Sequence, residues 1–157
     1  MKVVIIFDSI FGNTAKVAHA MADAIKTNVD VKAIQVGQFS DEDLKDCTHL
    51  LIGSPTRAFG PTSAIKQMLA NLDRNSLQNV KISVFDTRMA IDEIDVKILK
   101  FLEKRLGYAS DTMQKIIKRR LKKQSVPWSS YIVNGSEGPL REGELQRAEA
   151  WAVEQIQ

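Results

Sequence analysis

Four short, mainly apolar runs, each followed by a helical stripe, leave this chain few ways to fold. Residues 3–7, Val-Val-Ile-Ile-Phe, are too few for a helix and rich in β-branched side chains. That is the pattern of a strand covered on both faces in a parallel sheet. Residues 50–52, 80–85 and 131–133 repeat the signal, whereas residues 29–33 alternate apolar and polar and predict an edge strand with one wet face. Between the strands, Val17, Ala18, Met21, Ala22 and Ile25 share one helical face. Ile65, Met68, Leu69 and Leu72 share another, and Leu145, Ala148, Ala152 and Ile156 a third. Strands alternating with helices predict an α/β fold, a parallel sheet with helices on both sides. Right-handed crossovers then leave a few doubly wound arrangements. The order 2-1-3-4-5 puts the alternating strand at the edge, where its pattern belongs.

The stretch between the fourth and fifth strands is longer than a simple crossover. Residues 94–106 are apolar on much of a helical circumference (Ile94, Ile98, Leu99, Phe101, Leu102, Leu106) and predict a well-covered helix. After Gly107, Ser110 is the expected N-cap of a further helix carrying Met113, Ile116, Ile117 and Leu121. The 157 residues suit one domain, 1–157, with no repeat and no linker. No apolar run nears the roughly 20 residues that span a bilayer, and residues 3–7 are too short for a secretory core. A single cysteine, Cys47, cannot form an internal disulfide. The expectation is a cytoplasmic protein without membrane insertion. A net charge of +3 is too small to imply nucleic acid. Six cations crowd one segment, however: Lys115, Lys118, Arg119, Arg120, Lys122 and Lys123. They read as a solvated helix face or as a docking patch for an acidic partner.

In open α/β sheets, ligands bind outside the carboxyl ends of the strands, where the strand order switches. For 2-1-3-4-5 this lies between strands one and three. After strand one comes Asp8-Ser9-Ile10-Phe11-Gly12-Asn13-Thr14, with hydroxyls, an amide and a glycine ahead of a helix. Unpaired N–H groups and the positive helix end make such a loop an anion site, with Ser9, Asn13 and Thr14 as neutral donors. Without a ligand, the same residues read as a capped helix start. After strand three comes Gly53-Ser54-Pro55-Thr56-Arg57-Ala58-Phe59-Gly60-Pro61-Thr62. Two prolines stiffen it, Phe59 offers a stacking face, and Gly60 is the residue expected at positive φ. After strand four comes Asp86-Thr87-Arg88-Met89. Other uses of the architecture lack their residues. A receiver domain needs an acceptor aspartate where Gly53-Ser54 stands, and neither Gly-Lys-Ser/Thr nor a G-x-G-x-x-G follows strand one. His19, His49 and Cys47 form no nucleophilic constellation in the sequence.

Ser9-Ile10-Phe11-Gly12-Asn13-Thr14 resembles the phosphate loop of flavodoxins, and the likeness extends over essentially the whole chain, with the length of the short-chain type. The resemblance implies a flavodoxin-like three-layer sandwich and bound FMN, with its phosphate on Ser9, Asn13 and Thr14. Phe11 departs from the family by replacing the second hydroxyl, which implies a weaker phosphate grip or a ring over the ribityl chain. In flavodoxins the loop after the third strand lays an apolar residue on the flavin, which implies Phe59. A glycine there rotates its peptide towards the reduced ring, which implies Gly60. Pro55-Thr56-Arg57 followed by Phe59-Gly60 also resembles NAD(P)H:quinone oxidoreductases of the superfamily, with Ala58 as an extra residue. Asp86, Thr87 and Arg88 depart from both relatives but still offer a hydroxyl and backbone groups to a flavin edge. Arg57 beside the ring would favour the ionised reduced flavin. The implied role is a low-potential electron carrier between redox proteins. Two alternatives are a flavin-dependent quinone reductase and a binding module that has lost FMN.

Overall fold

Five parallel strands lie in the order β2-β1-β3-β4-β5 in the computed structural model, which describes residues 1–90 and 96–157. They are β1 (Lys2–Phe7), β2 (Asp30–Gln35), β3 (His49–Pro55), β4 (Lys81–Met89) and β5 (Trp128–Val133). The helices are α1 (Asn13–Ile25), α2 (Ser63–Asn71), α3 (Lys97–Leu106), α4 (Ala109–Leu121) and α5 (Glu144–Gln155). The apolar runs sit at the buried centre, and β2, whose exposed residues include Asp30, Lys32 and Gln35, takes an edge as its alternation predicts.

The period of two along each strand sorts its side chains between two cores. Val3, Ile5, Phe7, Leu51 and Phe85 face α1 and α5, meeting Val17, Met21, Ile25, Ala148 and Ala152. Val4, Ile6, Leu50, Ile52 and Val84 face α2 and α4, meeting Ile65, Leu69, Met113 and Ile117. Gly53 serves the first of these cores. A Cβ there would stand 2.2 Å from the tip of the Phe85 ring, so only glycine lets that ring cross β3. Phe85 then meets Tyr131 and Trp151 edge-on, with ring centroids 6.4 and 6.5 Å away.

Three expectations are corrected. The helix over 94–106 is not well covered: α3 begins at Lys97 and buries no side chain, while Ile94 lies outside the described residues. The cause is competition, because α4 already covers the sheet beside β4 with Ala109, Met113, Ile117 and Leu121. Ser110 is not an N-cap. Tyr108 holds that position, its N–H donating to Asp111 Oδ2 at 2.7 Å, and Ser110 is buried inside the first turn. Nor do all six cations near α4 point only to water. Arg120 donates to the Leu69 carbonyl at 2.6 Å, and Lys123 Nζ donates to the carbonyls of Leu77, Gln78 and Val80 at 2.7–2.8 Å. Arg120 thus ties α4 to the last turn of α2, and Lys123, just past α4, ties the chain to the turn that precedes β4.

Candidate functional site: a cleft at the carboxyl ends of the strands

β1 and β3 are neighbours, yet the helices that follow them cover opposite faces of the sheet. The chain therefore parts above them and leaves a crevice, as doubly wound topology requires. The crevice is a cavity of about 270 Å³. Of the residues expected at a site, Ser9, Phe11, Asn13, Thr14, Pro55, Thr56, Arg57, Thr87 and Arg88 line it, and Gly12, Phe59, Gly60 and Asp86 do not. Ile10, Ala58, Met89, Val133 and Ser136 line it as well. Val133 and Ser136 come from the end of β5, which shares this rim of the sheet and was readable from topology alone.

The loop ahead of α1 gathers neutral polar groups at the start of the helix. Gly12, at φ 88°, turns the chain into the helix as N-cap and supplies no capping side chain, and the first turn holds no acid. Ser9 Oγ accepts from Ala15 N–H at 3.2 Å, so one orphan donor of that turn is already engaged. Thr14 is buried and shares a hydrogen bond with the Thr87 hydroxyl at 2.8 Å. Asn13 Nδ2 donates to the Glu137 carbonyl at 2.9 Å, which ties the loop after β5 to this wall. The ensemble is electroneutral donors at a positive helix end, the chemistry that receives a phosphate.

The loop after β3 folds back as a tight turn. Arg57 N–H donates to the Gly60 carbonyl at 2.8 Å, and Gly60 N–H donates back at 3.0 Å. Its central residues are Ala58 at φ 45° and Phe59 at φ 65°. The left-handed positions thus fall on two non-glycine residues, and not on Gly60. Each costs on the order of 1–2 kcal/mol relative to glycine's freedom. Phe59 is not among the residues that line the cavity, and the Arg57 guanidinium lies over the Phe11 ring, 5.5 Å from its centroid. That cation–π contact spans the cavity mouth between the first and second loops.

The third segment is the continuation of β4, not a loop. Asp86, wholly buried, accepts a bidentate pair from Arg88, Nε to Oδ1 at 2.7 Å and Nη2 to Oδ2 at 2.6 Å. Ser110 N–H donates to Asp86 Oδ2 and Arg88 Nη2 donates to Ser110 Oγ, both at 2.9 Å. The Tyr108 ring stacks on the guanidinium, with Cζ 3.6 Å from its centroid. Ala109 N–H donates to Thr56 Oγ1 at 3.0 Å. The first turn of α4 is therefore pinned to the ends of β3 and β4. Sequence reasoning missed Ser110 as a member of this network, because nothing local marks a serine as the partner of an acid 24 residues away.

Far from the cleft, burial pushes the Cys47 thiol up and the His49 imidazole down. Lys81 and the N-terminal amine add to the His49 effect, and its Nδ1 meets the Thr48 hydroxyl at 2.9 Å. No group of three or more His, Cys, Asp or Glu that could hold a metal occurs among the described residues.

No curated protein is significantly similar to this chain. A flavodoxin from the domain Archaea superposes with a TM-score of 0.67 at 15% identity, covering 99% of this chain and 96% of its own. The two-electron reduced flavodoxin of Megasphaera elsdenii gives 0.68 at 19%, covering 97% and 98%. A flavodoxin, WrbA-like protein from Agrobacterium tumefaciens gives 0.66 at 15%, covering 98% and 93%. These likenesses establish the flavodoxin-like fold. Residues 4–127, well over half of the chain, match the flavodoxin domain, and the protein belongs to that family.

Proposed function

We propose that the cleft holds FMN by its phosphate at the start of α1 and that the protein works as an electron carrier in the cytoplasm. The observation that supports this most is the open helix start, where Gly12 provides no cap and Ser9, Asn13 and Thr14 converge on the cavity. The donor set fits the group. A phosphomonoester would take its bonds from these side chains and from the first free N–H groups of α1. Flavin bound there supplies one- and two-electron redox chemistry. Thr56, Arg57 and Thr87 border the cavity and would orient the ring, while Phe11 and Arg57 shield its mouth.

A carrier needs a place to dock. The exposed cations along α4 and at its end, Lys115, Lys118, Arg119 and Lys122, suit an acidic redox partner. Such complementarity acts mainly on association rate and is screened by salt. The quinone-reductase reading draws on the Pro55-Thr56-Arg57 motif, which lines the cleft. The two readings part on mixing the FMN-loaded protein with NADPH under anaerobic conditions. A carrier keeps its yellow colour until a reductase partner is added, and rapid bleaching by NADPH alone would make it an enzyme.

A further inference from the structure

Helices in a folded domain normally hide their apolar face, and α3 does not. Ile98 is 67% exposed, Phe101 60%, Leu106 49% and the preceding Val96 40%, so half of the large exposed hydrophobics among the described residues lie in eleven consecutive positions. At about 100° per residue, Ile98, Phe101 and Arg105 fall within about 60° of one another on the outer side, with Lys97 and Lys104 along one border. Leu99, Lys100, Leu102 and Glu103 are the half-buried side. The outward surface is therefore apolar and cationic together, and the one acid of the helix, Glu103, lies off it. The crevice between α3 and α4 is lined by Lys104, Arg105 and Lys115 beside Glu103 and Asp111, so its balance stays cationic.

From this surface we infer that α3 is an interfacial anchor, lying flat on an anionic lipid surface with Ile98 and Phe101 sunk below the headgroups. The charge pattern selects that occupant. A second copy of this chain would bring the same cations face to face, since a two-fold contact pairs a patch with itself. An acidic protein partner answers the lysines, yet it would also need apolar pockets spaced to admit Ile98 and Phe101 between its acids. A leaflet of anionic lipids offers an apolar layer beneath a negative one at every point. Lys97, Lys104 and Arg105 have long stems that let their charges reach the headgroups while Ile98 and Phe101 descend. None of the described helices is long and apolar enough to cross a membrane, so the contact is peripheral. This inference does not depend on flavin, and its test reads no redox signal.

The test is co-sedimentation of the purified protein with phosphatidylcholine vesicles, with and without phosphatidylglycerol. The expected result is binding to the anionic vesicles alone, lost near ~1 M salt, where the Debye length is about 3 Å. Ile98→Ser with Phe101→Ser should weaken it at least about tenfold, and Lys97→Gln with Lys104→Gln and Arg105→Gln by a similar factor. Because α3 buries no side chain, both variants should keep the wild-type Tm. Absence of binding to anionic vesicles overturns the inference, as does binding that the Ile98/Phe101 variant retains. If vesicles fail while an acidic redox protein is captured through the same residues, α3 is a protein-docking helix instead.

Discussion

The two walls of the cleft are built on opposite principles. At the β1–α1 wall, neutral polar groups surround a helix start whose N-cap, Gly12, supplies no side chain and whose first turn is engaged by Ser9 at one N–H. At the β4–α4 wall, the strongest groups are already satisfied by one another, Asp86 by Arg88 and Ser110, Arg88 by Asp86, Ser110 and the Tyr108 ring. The side chains of the first wall each make a single hydrogen bond and keep further capacity for a ligand, whereas the second wall spends its charged groups on holding shape. They meet at one hydrogen bond, between the hydroxyls of Thr14 and Thr87. In a cleft of this kind, a charged residue at the rim is as apt to be structural as ligand-binding. What separates the two is whether its hydrogen-bonding groups are already used.

The sharpest way to break this comparison is to cut the second wall. Arg88→Ala leaves the Asp86 carboxylate buried without its partner, and the loss should be about 3–5 kcal/mol of unfolding free energy in urea. Arg88→Lys keeps the charge but not the fork that bonds both carboxylate oxygens, and should recover only part of the loss. If Arg88→Ala left stability untouched and only weakened FMN binding, the roles of the walls would be exchanged.

A smaller effect sharpens the role of the turn between the walls. Ala58 and Phe59 are held at positive φ. Ala58→Gly should therefore stabilise the protein by about 0.5–1 kcal/mol, the relief of a left-handed alanine less the entropy glycine adds to the unfolded chain. Destabilisation would show that the turn is not strained.

A third prediction uses the opposite end of the sheet as the reference for both walls. His49 is buried with Nε2 lacking a hydrogen-bond partner, and burial, Lys81 and the N-terminal amine all disfavour its charged form. Its folded pKa lies below its unfolded value, so the unfolded chain binds more protons just below pH ~6.5. The contribution of His49 is thus fully present above that pH and is lost as pH falls through the two pKa values. His49→Gln should flatten the acid limb of the stability–pH curve and leave FMN affinity unchanged. An acid limb of the same slope would assign it to other groups.

What was legible in the sequence follows from how local each signal is. Residues 3–7 and 50–52 are apolar without interruption because both faces of a central strand are covered, and they gave the sheet order together with the alternating edge strand. The start of α1 was legible because a glycine and three donors ahead of a helical stripe act within a few residues. The strand ends were less so: β4 runs on through Asp86, Thr87 and Arg88, since a buried ion pair allows polar residues to stay in a strand. The exposed face of α3 was not legible at all. Its apolar periodicity matches a buried helix, and only the tertiary fact that α4 covers that part of the sheet leaves it facing outward. The left-handed positions at Ala58 and Phe59 were hidden for a related reason, because the bridge from Arg57 to Gly60 imposes a conformation that neither residue prefers.

The central claim is that the first wall takes a phosphate, and calorimetric titration with FMN beside riboflavin tests it most directly. FMN should bind far more tightly than riboflavin, which lacks the phosphate. Asn13→Ala and Thr14→Ala should each weaken FMN by about 1.5–3 kcal/mol, the worth of a hydrogen bond to a charged group, and should leave riboflavin nearly unaffected. Equal affinity for FMN and riboflavin, or a folded Asn13→Ala/Thr14→Ala protein that binds FMN as the wild type does, would contradict the account.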